Sequence, residues 1–157
     1  MDELRAITNE ETTQYIVIKI GVEQFGIDIK YVDNIVRMQR ITRVPKAQPY
    51  FNGVINIRGE IIPVMSLRVK FELEPDEFTS KTRILIIKLE PQSAVGIIVD
   101  EVKNVITLSE EDIDVNTSVG NDEKSAYITG VGKQAEGLVT LLNLQGVIVD
   151  KENVDKL

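Results

Sequence analysis

The sequence predicts a mainly β protein of two similar small lobes packed round a shared hydrophobic core, with a few short helices. Three observations carry that expectation. Short runs rich in Val and Ile alternate with turn signals along most of the 157 residues. The pattern also repeats in order. Phe25-Gly26-Ile27-Asp28-Ile29 and then Val32-Asp33-Asn34-Ile35 match Val95-Gly96-Ile97-Ile98-Val99 and then Val102-Lys103-Asn104-Val105. Tyr50-Phe51-Asn52-Gly53-Val54 matches Tyr127-Ile128-Thr129-Gly130-Val131, and Ile62-Pro63-Val64-Met65-Ser66-Leu67 matches Val139-Thr140-Leu141-Leu142-Asn143-Leu144. The offsets, about 70 to 77 residues, place the lobes near 14–71 and 82–144. Finally, lobes this small bury too little alone, so they should share one core.

Taken in order, residues 1–13 are polar and read as a frayed arm. Residues 14–21 alternate, with Tyr15 and Val17 on one face and Ile16, Ile18 and Ile20 on the other, which is a strand. Residues 22–24 turn the chain into a second strand over 25–29, where Gly26 permits close packing. Tyr31, Val32, Ile35 and Val36 follow helical spacing, so a short helix is expected over 31–36. Pro45 and Pro49 make 40–49 an extended connection. Residues 53–67 read as a hairpin broken only at Arg58-Gly59, with Gly59 supplying a positive φ. Arg58 at its apex is either simply solvated or held for a partner. Pro63 lacks a donor, so its strand is an edge or bends there.

A helical turn is expected over 67–71 and an acidic loop over 72–81. Strands over 82–90 and 93–100 are joined by Pro91-Gln92, and an extended piece follows over 102–108. Ser109-Glu110-Glu111-Asp112 has the pattern of a helix start, with acids at the positive end of the dipole. Residues 116–125 read as a mobile loop. A third hairpin spans 127–142, then a helix or strand over 144–149, and 151–157 form a charged tail.

Catalytic chemistry is missing. There is no cysteine and no histidine, which removes thiol nucleophiles, Cys-based zinc sites and the commonest general base and metal ligand. Gly130-Val131-Gly132-Lys133 fails as a phosphate loop, since Tyr127 and Gln134 stand where glycine and a hydroxyl residue are needed. Asp114, Asn116 and Ser118 have calcium-loop spacing, but Val119 and Ser125 break it. The pairs Asp100-Glu101 and Glu110-Glu111 read as solvated surface. No secretory signal gives the Asn116-Thr117-Ser118 sequon meaning, and no apolar run is long enough to span a membrane. The net charge of −7 disfavours nucleic acid or anionic membrane as a partner. No cofactor or metal is expected. By elimination the chain is a cytoplasmic binding or scaffolding module.

Arg43-Val44-Pro45, followed by the unbroken run from Pro49 through Gly53-Val54-Ile55-Asn56-Ile57-Arg58-Gly59-Glu60-Ile61-Ile62-Pro63-Val64, resembles the CheW family. These are the coupling proteins of bacterial chemotaxis. The family pattern is a proline segment, then G-V-x-N-x-R-G-x-I-x-P-V and a closing leucine, here Leu67. Phe25-Gly26-Ile27-Asp28, Val95 to Asp100 and Leu141-Leu142-Asn143-Leu144 extend the resemblance over about residues 14–150. It implies two SH3-like, five-stranded β-barrel lobes and a scaffold without catalysis. It also implies two partners: the regulatory domain of the histidine kinase CheA and the cytoplasmic hairpin tip of methyl-accepting chemoreceptors. With no kinase or receiver segment in the chain, the stand-alone coupling protein is expected. Carried over by motif, the receptor-binding residues are Val32, Ile35, Val36, Gly53 and Arg58, the apolar ones giving area and the arginine register. The kinase-facing surface should be a separate exposed apolar patch on a lobe edge. The alternatives are an adaptor in another two-component signalling array, or a general peptide-binding β-barrel.

Overall fold

The computed structural model describes residues 11–45, 47–115 and 126–148. The sequence-based expectations for the remainder of the arm, for the 116–125 loop and for the 151–157 tail lie outside the described residues. Eleven strands are present among the described residues: β1 (Thr12–Ile20), β2 (Glu23–Asp28), β3 (Val32–Arg37), β4 (Phe51–Ile57), β5 (Glu60–Ser66), β6 (Arg83–Glu90), β7 (Ser93–Val99), β8 (Glu101–Ser109), β9 (Ile113–Asp114), β10 (Ile128–Gln134) and β11 (Gly137–Leu142). Two short helices, α1 (Leu67–Lys70) and α2 (Leu144–Ile148), follow β5 and β11. Strand β1 starts earlier than the alternation suggested, because Thr12 and Thr13 already pair with Ser109 and Leu108.

One sheet has the order β8-β1-β2-β11-β10-β9 and the other β3-β6-β7-β5-β4. These sheets do not follow the division into 14–71 and 82–144. The hairpin β1–β2 leaves its own repeat to pair with β8 and, in parallel, with β11, where Leu141 faces Gly26. The hairpin β6–β7 pairs in turn with β3 and, in parallel, with β5, where Val64 faces Gly96. Under the sequence repeat, β1–β2 corresponds to β6–β7, and β3, β4 and β5 correspond to β8, β10 and β11. Apart from the added β9, the two sheets then read strand for strand alike, with the leading hairpins exchanged. Each lobe is therefore completed by the other half of the chain. The two matching glycines sit in tight places beside the parallel pairs: a Cβ on Gly26 would sit 2.8 Å from Leu141 Cδ2, and one on Gly96 would sit 3.2 Å from Val64 Cγ2 and 2.8 Å from Ile84 Cγ2 of β6.

Burial follows the strand period of two. Ile16, Ile18 and Ile20 of β1 join Leu85, Ile87, Ile97 and Leu142 in a central core drawn from both sheets. The opposite face of β1 sends Val17 into a smaller cluster with Leu108, Val139 and Leu141, inside one lobe. Its counterpart inside the other lobe is Ile55, Ile62, Val64, Ile84, Ile86 and Ile98. The shared core expected from lobe size is thus the largest of the three clusters.

One local expectation needs correction and a second is narrowed. Residues 31–36 are not a helix. A 3-10 turn covers only Ile29–Tyr31, where the Asp28 carboxylate accepts from the Lys30 amide at 3.0 Å. Beyond it, Val32–Arg37 is an edge strand laid against β6. Three β-branched residues suit a pleated surface better than a helix, and the ladder to β6 decides between the two readings. Of the two alternatives for Pro63, an edge or a bend, the edge is excluded, since β5 lies between β4 and β7. The Val54 amide and carbonyl both bond Thr42, at 2.8 Å each, so the opposed pair Val54 and Pro63 exchanges no bonds. The ring nitrogen therefore faces the β7 side, where the parallel ladder begins only at Val64.

Candidate functional site

Strands β4 and β5 close at Ile57 opposite Glu60, leaving a two-residue loop of Arg58 and Gly59. Their φ values are 53° and 86°, so both central residues have the positive φ of a primed hairpin turn. The Gly59 amide donates to Asn56 Oδ1 at 2.9 Å, which fixes the turn from within. Asparagine or glycine suits this first position, and an arginine there costs about 1 kcal/mol. Arg58 is exposed and has no side-chain hydrogen bond or ion pair among the described residues.

The other four residues singled out in the sequence separate by role. Val36 packs against the cluster inside its lobe, and Val32 packs against the central core. Ile35, on the opposite face of β3, is 39% exposed. Gly53 is buried at a bulge in β4, where its φ is 147° and a Cβ would stand 2.1 Å from the Thr42 carbonyl oxygen. Ile35 and Arg58 can therefore meet a partner directly, while Val32, Val36 and Gly53 support the surface from beneath. Val36, Met38, Ile41 and Ile57 all pack against one small cluster inside the lobe. Next to it, a cleft of about 320 Å³ is lined by Ile41, Arg43, Pro49, Phe51, Val69 and Phe78. Arg43 on this rim, and Arg37 and Arg40 before it in the chain, escaped the sequence reading, although the signal was there: positions 34–59 contain no acid.

The surface sits on a scaffold clasped at one point across its exchanged halves. Arg68 of α1 holds Asp100, which follows β7, through its Nε at 2.9 Å and also through Nη2. The same carboxylate accepts from the Gly21 amide, in the β1–β2 turn, at 2.7 Å. The Arg68 hydrogen bond is the main reason the Asp100 carboxyl lies below its usual range. The sign follows: this stability is present above the unfolded carboxyl value, near pH 4, and disappears as pH falls through the lower folded value. Asp100→Asn should therefore cost about 1 kcal/mol at neutral pH, allowing for partial exposure. The deficit relative to the parent should shrink below about pH 4 in urea unfolding at a series of pH values. A gap that stays constant with pH would remove the carboxylate's charge from the account.

Among the described residues there is no group of three or more acids that could hold a metal ion, and no helix is long and apolar enough to cross a membrane.

Comparison with known proteins agrees along nearly the whole chain. Residues 14–152 match the CheW-like domain. The chemotaxis protein CheW of Helicobacter pylori is 36% identical over 141 residues, covering 89% of this chain and 84% of that protein. The CheW of Bacillus subtilis is 36% identical over 138 residues, covering 88% and 87%. The crystal structure of the scaffolding protein TtCheW from Thermoanaerobacter tengcongensis superposes with a TM-score of 0.81 at 28% identity, covering 90% of this chain and 95% of that one.

Proposed function

This chain belongs to the CheW-like family of non-catalytic chemotaxis scaffolds, and we propose that it bridges the regulatory domain of the histidine kinase CheA to the cytoplasmic hairpin tips of chemoreceptors. The receptor tip lies along Ile35 and the Arg58 apex, with Val32, Val36 and Gly53 shaping the surface under it. The observation that carries this assignment is Arg58 itself, exposed, unpartnered among the described residues and held at φ 53°. A receptor helix laid in such a groove takes area from apolar side chains and register from the charge. Coupling then follows if receptor signalling states differ in how well they bind the assembled complex. The protein works in the cytoplasm, attached to membrane receptor arrays through its partners.

The test is a calorimetric titration of this protein with the CheA regulatory domain, followed by addition of a chemoreceptor hairpin fragment. Saturable binding and then a three-component complex are expected. Absence of binding to either partner would leave the fold intact and remove the function.

A further inference from the structure

Charge is unevenly placed in this chain. Positions 34–59 carry Arg37, Arg40, Arg43, Lys46 and Arg58 and no acid, in a protein whose net charge is −7. The structure separates the arginines further. Arg68 is held by Asp100, and Arg83 donates to the carbonyls of Ser80 and Thr82. Arg37, Arg40, Arg43 and Arg58 are all exposed, and none has a side-chain hydrogen bond or ion pair among the described residues.

The segments that carry these four arginines border one lobe, where Thr42 is bridged antiparallel to Val54. Arg37 and Arg40 are sequence neighbours of Val36 and Ile41, and Arg58 is the neighbour of Ile57; those three apolar residues pack on a single cluster. Arg43 follows Thr42, whose backbone bridges Val54 of β4, and it lines the cleft with Phe51 and Phe78. Apolar surface lies alongside: Val44 is 46% exposed and Phe78 is 54% exposed. Glu60 is the acid nearest in sequence to the apex.

We propose that these arginines receive an acidic, amphipathic protein segment, its carboxylates on the guanidiniums and its apolar side chains on Val44 and Phe78. The proposal rests on the receptor-coupling reading above and names the chemistry of the segment that reading places at Arg58. Planar guanidiniums match carboxylates in bidentate fashion, and these four have no internal bond among the described residues to give up. A short acidic segment fits better than a nucleic acid or an anionic bilayer, because the remainder of this acidic chain would repel an extended polyanion.

The test compares the parent with R37Q/R40Q/R43Q and R37K/R40K/R43K. Each is titrated by fluorescence anisotropy against a chemoreceptor hairpin fragment, at about 0.05 and 0.3 M NaCl, and thermal melts check folding. The glutamine variant should bind about 10-fold more weakly at low salt, with a flatter salt dependence. The lysine variant keeps the charge but loses the bidentate fork, so it should bind more weakly than the parent and more tightly than the glutamine variant. If the parent itself fails to bind, the coupling reading falls. If the parent binds and the glutamine variant matches it at both salts, this inference alone falls. A DNA duplex or phosphatidylglycerol vesicles bound as tightly as the fragment would also overturn it.

Discussion

Gly53→Ala is expected to lose about 3 kcal/mol of stability, with the loss seen as a lower urea midpoint before any effect on binding is considered. Two causes add. The backbone at φ 147° lies where side chains are rarely tolerated, and the new Cβ would stand 2.1 Å from the Thr42 carbonyl oxygen. That oxygen accepts from the Val54 amide at 2.8 Å, and the Thr42 amide returns a bond of the same length. Relief of the clash would therefore break the bridge that ties the chain after β3 to the outer side of β4. Gly59→Ala is the control, because its φ is also positive, at 86°, yet no atom lies within 4 Å of the added Cβ. It should cost about 1 kcal/mol. A Gly53→Ala protein as stable as the parent but defective in receptor binding would return Gly53 to the contact surface.

The contrast between these glycines shows what a sequence can and cannot reveal here. The β4–β5 hairpin is legible because an Arg-Gly break between two β-branched runs leaves few alternatives. The helical turn after it is legible too, and the Ser66 hydroxyl does accept from the Val69 amide as its cap. The exchange of leading hairpins is not legible. Val17 and Ile18 of β1 present the same two apolar faces whether β8 or β3 is the neighbour, and the choice is made by non-local pairing. The repeat shows that two equivalent units exist, but not which hairpin completes which lobe. Strand β3 was misread for a related reason. Val32, Ile35 and Val36 satisfy helical spacing, while the irregularity between Val32 and Asn34 disturbs the alternation that would have betrayed a strand. The site suffered accordingly. On a helix, Val32, Ile35 and Val36 would share a face, whereas on the strand Ile35 turns outward and Val36 turns into the lobe.

Arg58→Glu should leave the fold as stable as the parent and lower receptor-dependent activation of the kinase by about 10- to 100-fold in a reconstituted assay. Stability is unaffected because the side chain has no partner among the described residues, and glutamate meets the same backbone cost at φ 53°. Binding suffers twice: a favourable charge is lost, and a carboxylate is brought to a site proposed to face carboxylates. Arg58→Asn separates fold from function more sharply. Asparagine suits the first position of this turn, so the variant should gain about 0.5 to 1 kcal/mol in urea unfolding. It should also couple receptor to kinase less well than the parent. Opposite movements of stability and coupling in one substitution would identify Arg58 as a residue retained at the expense of the turn. Parent-like activation by both variants would make it a solvated surface charge and move the receptor contact elsewhere.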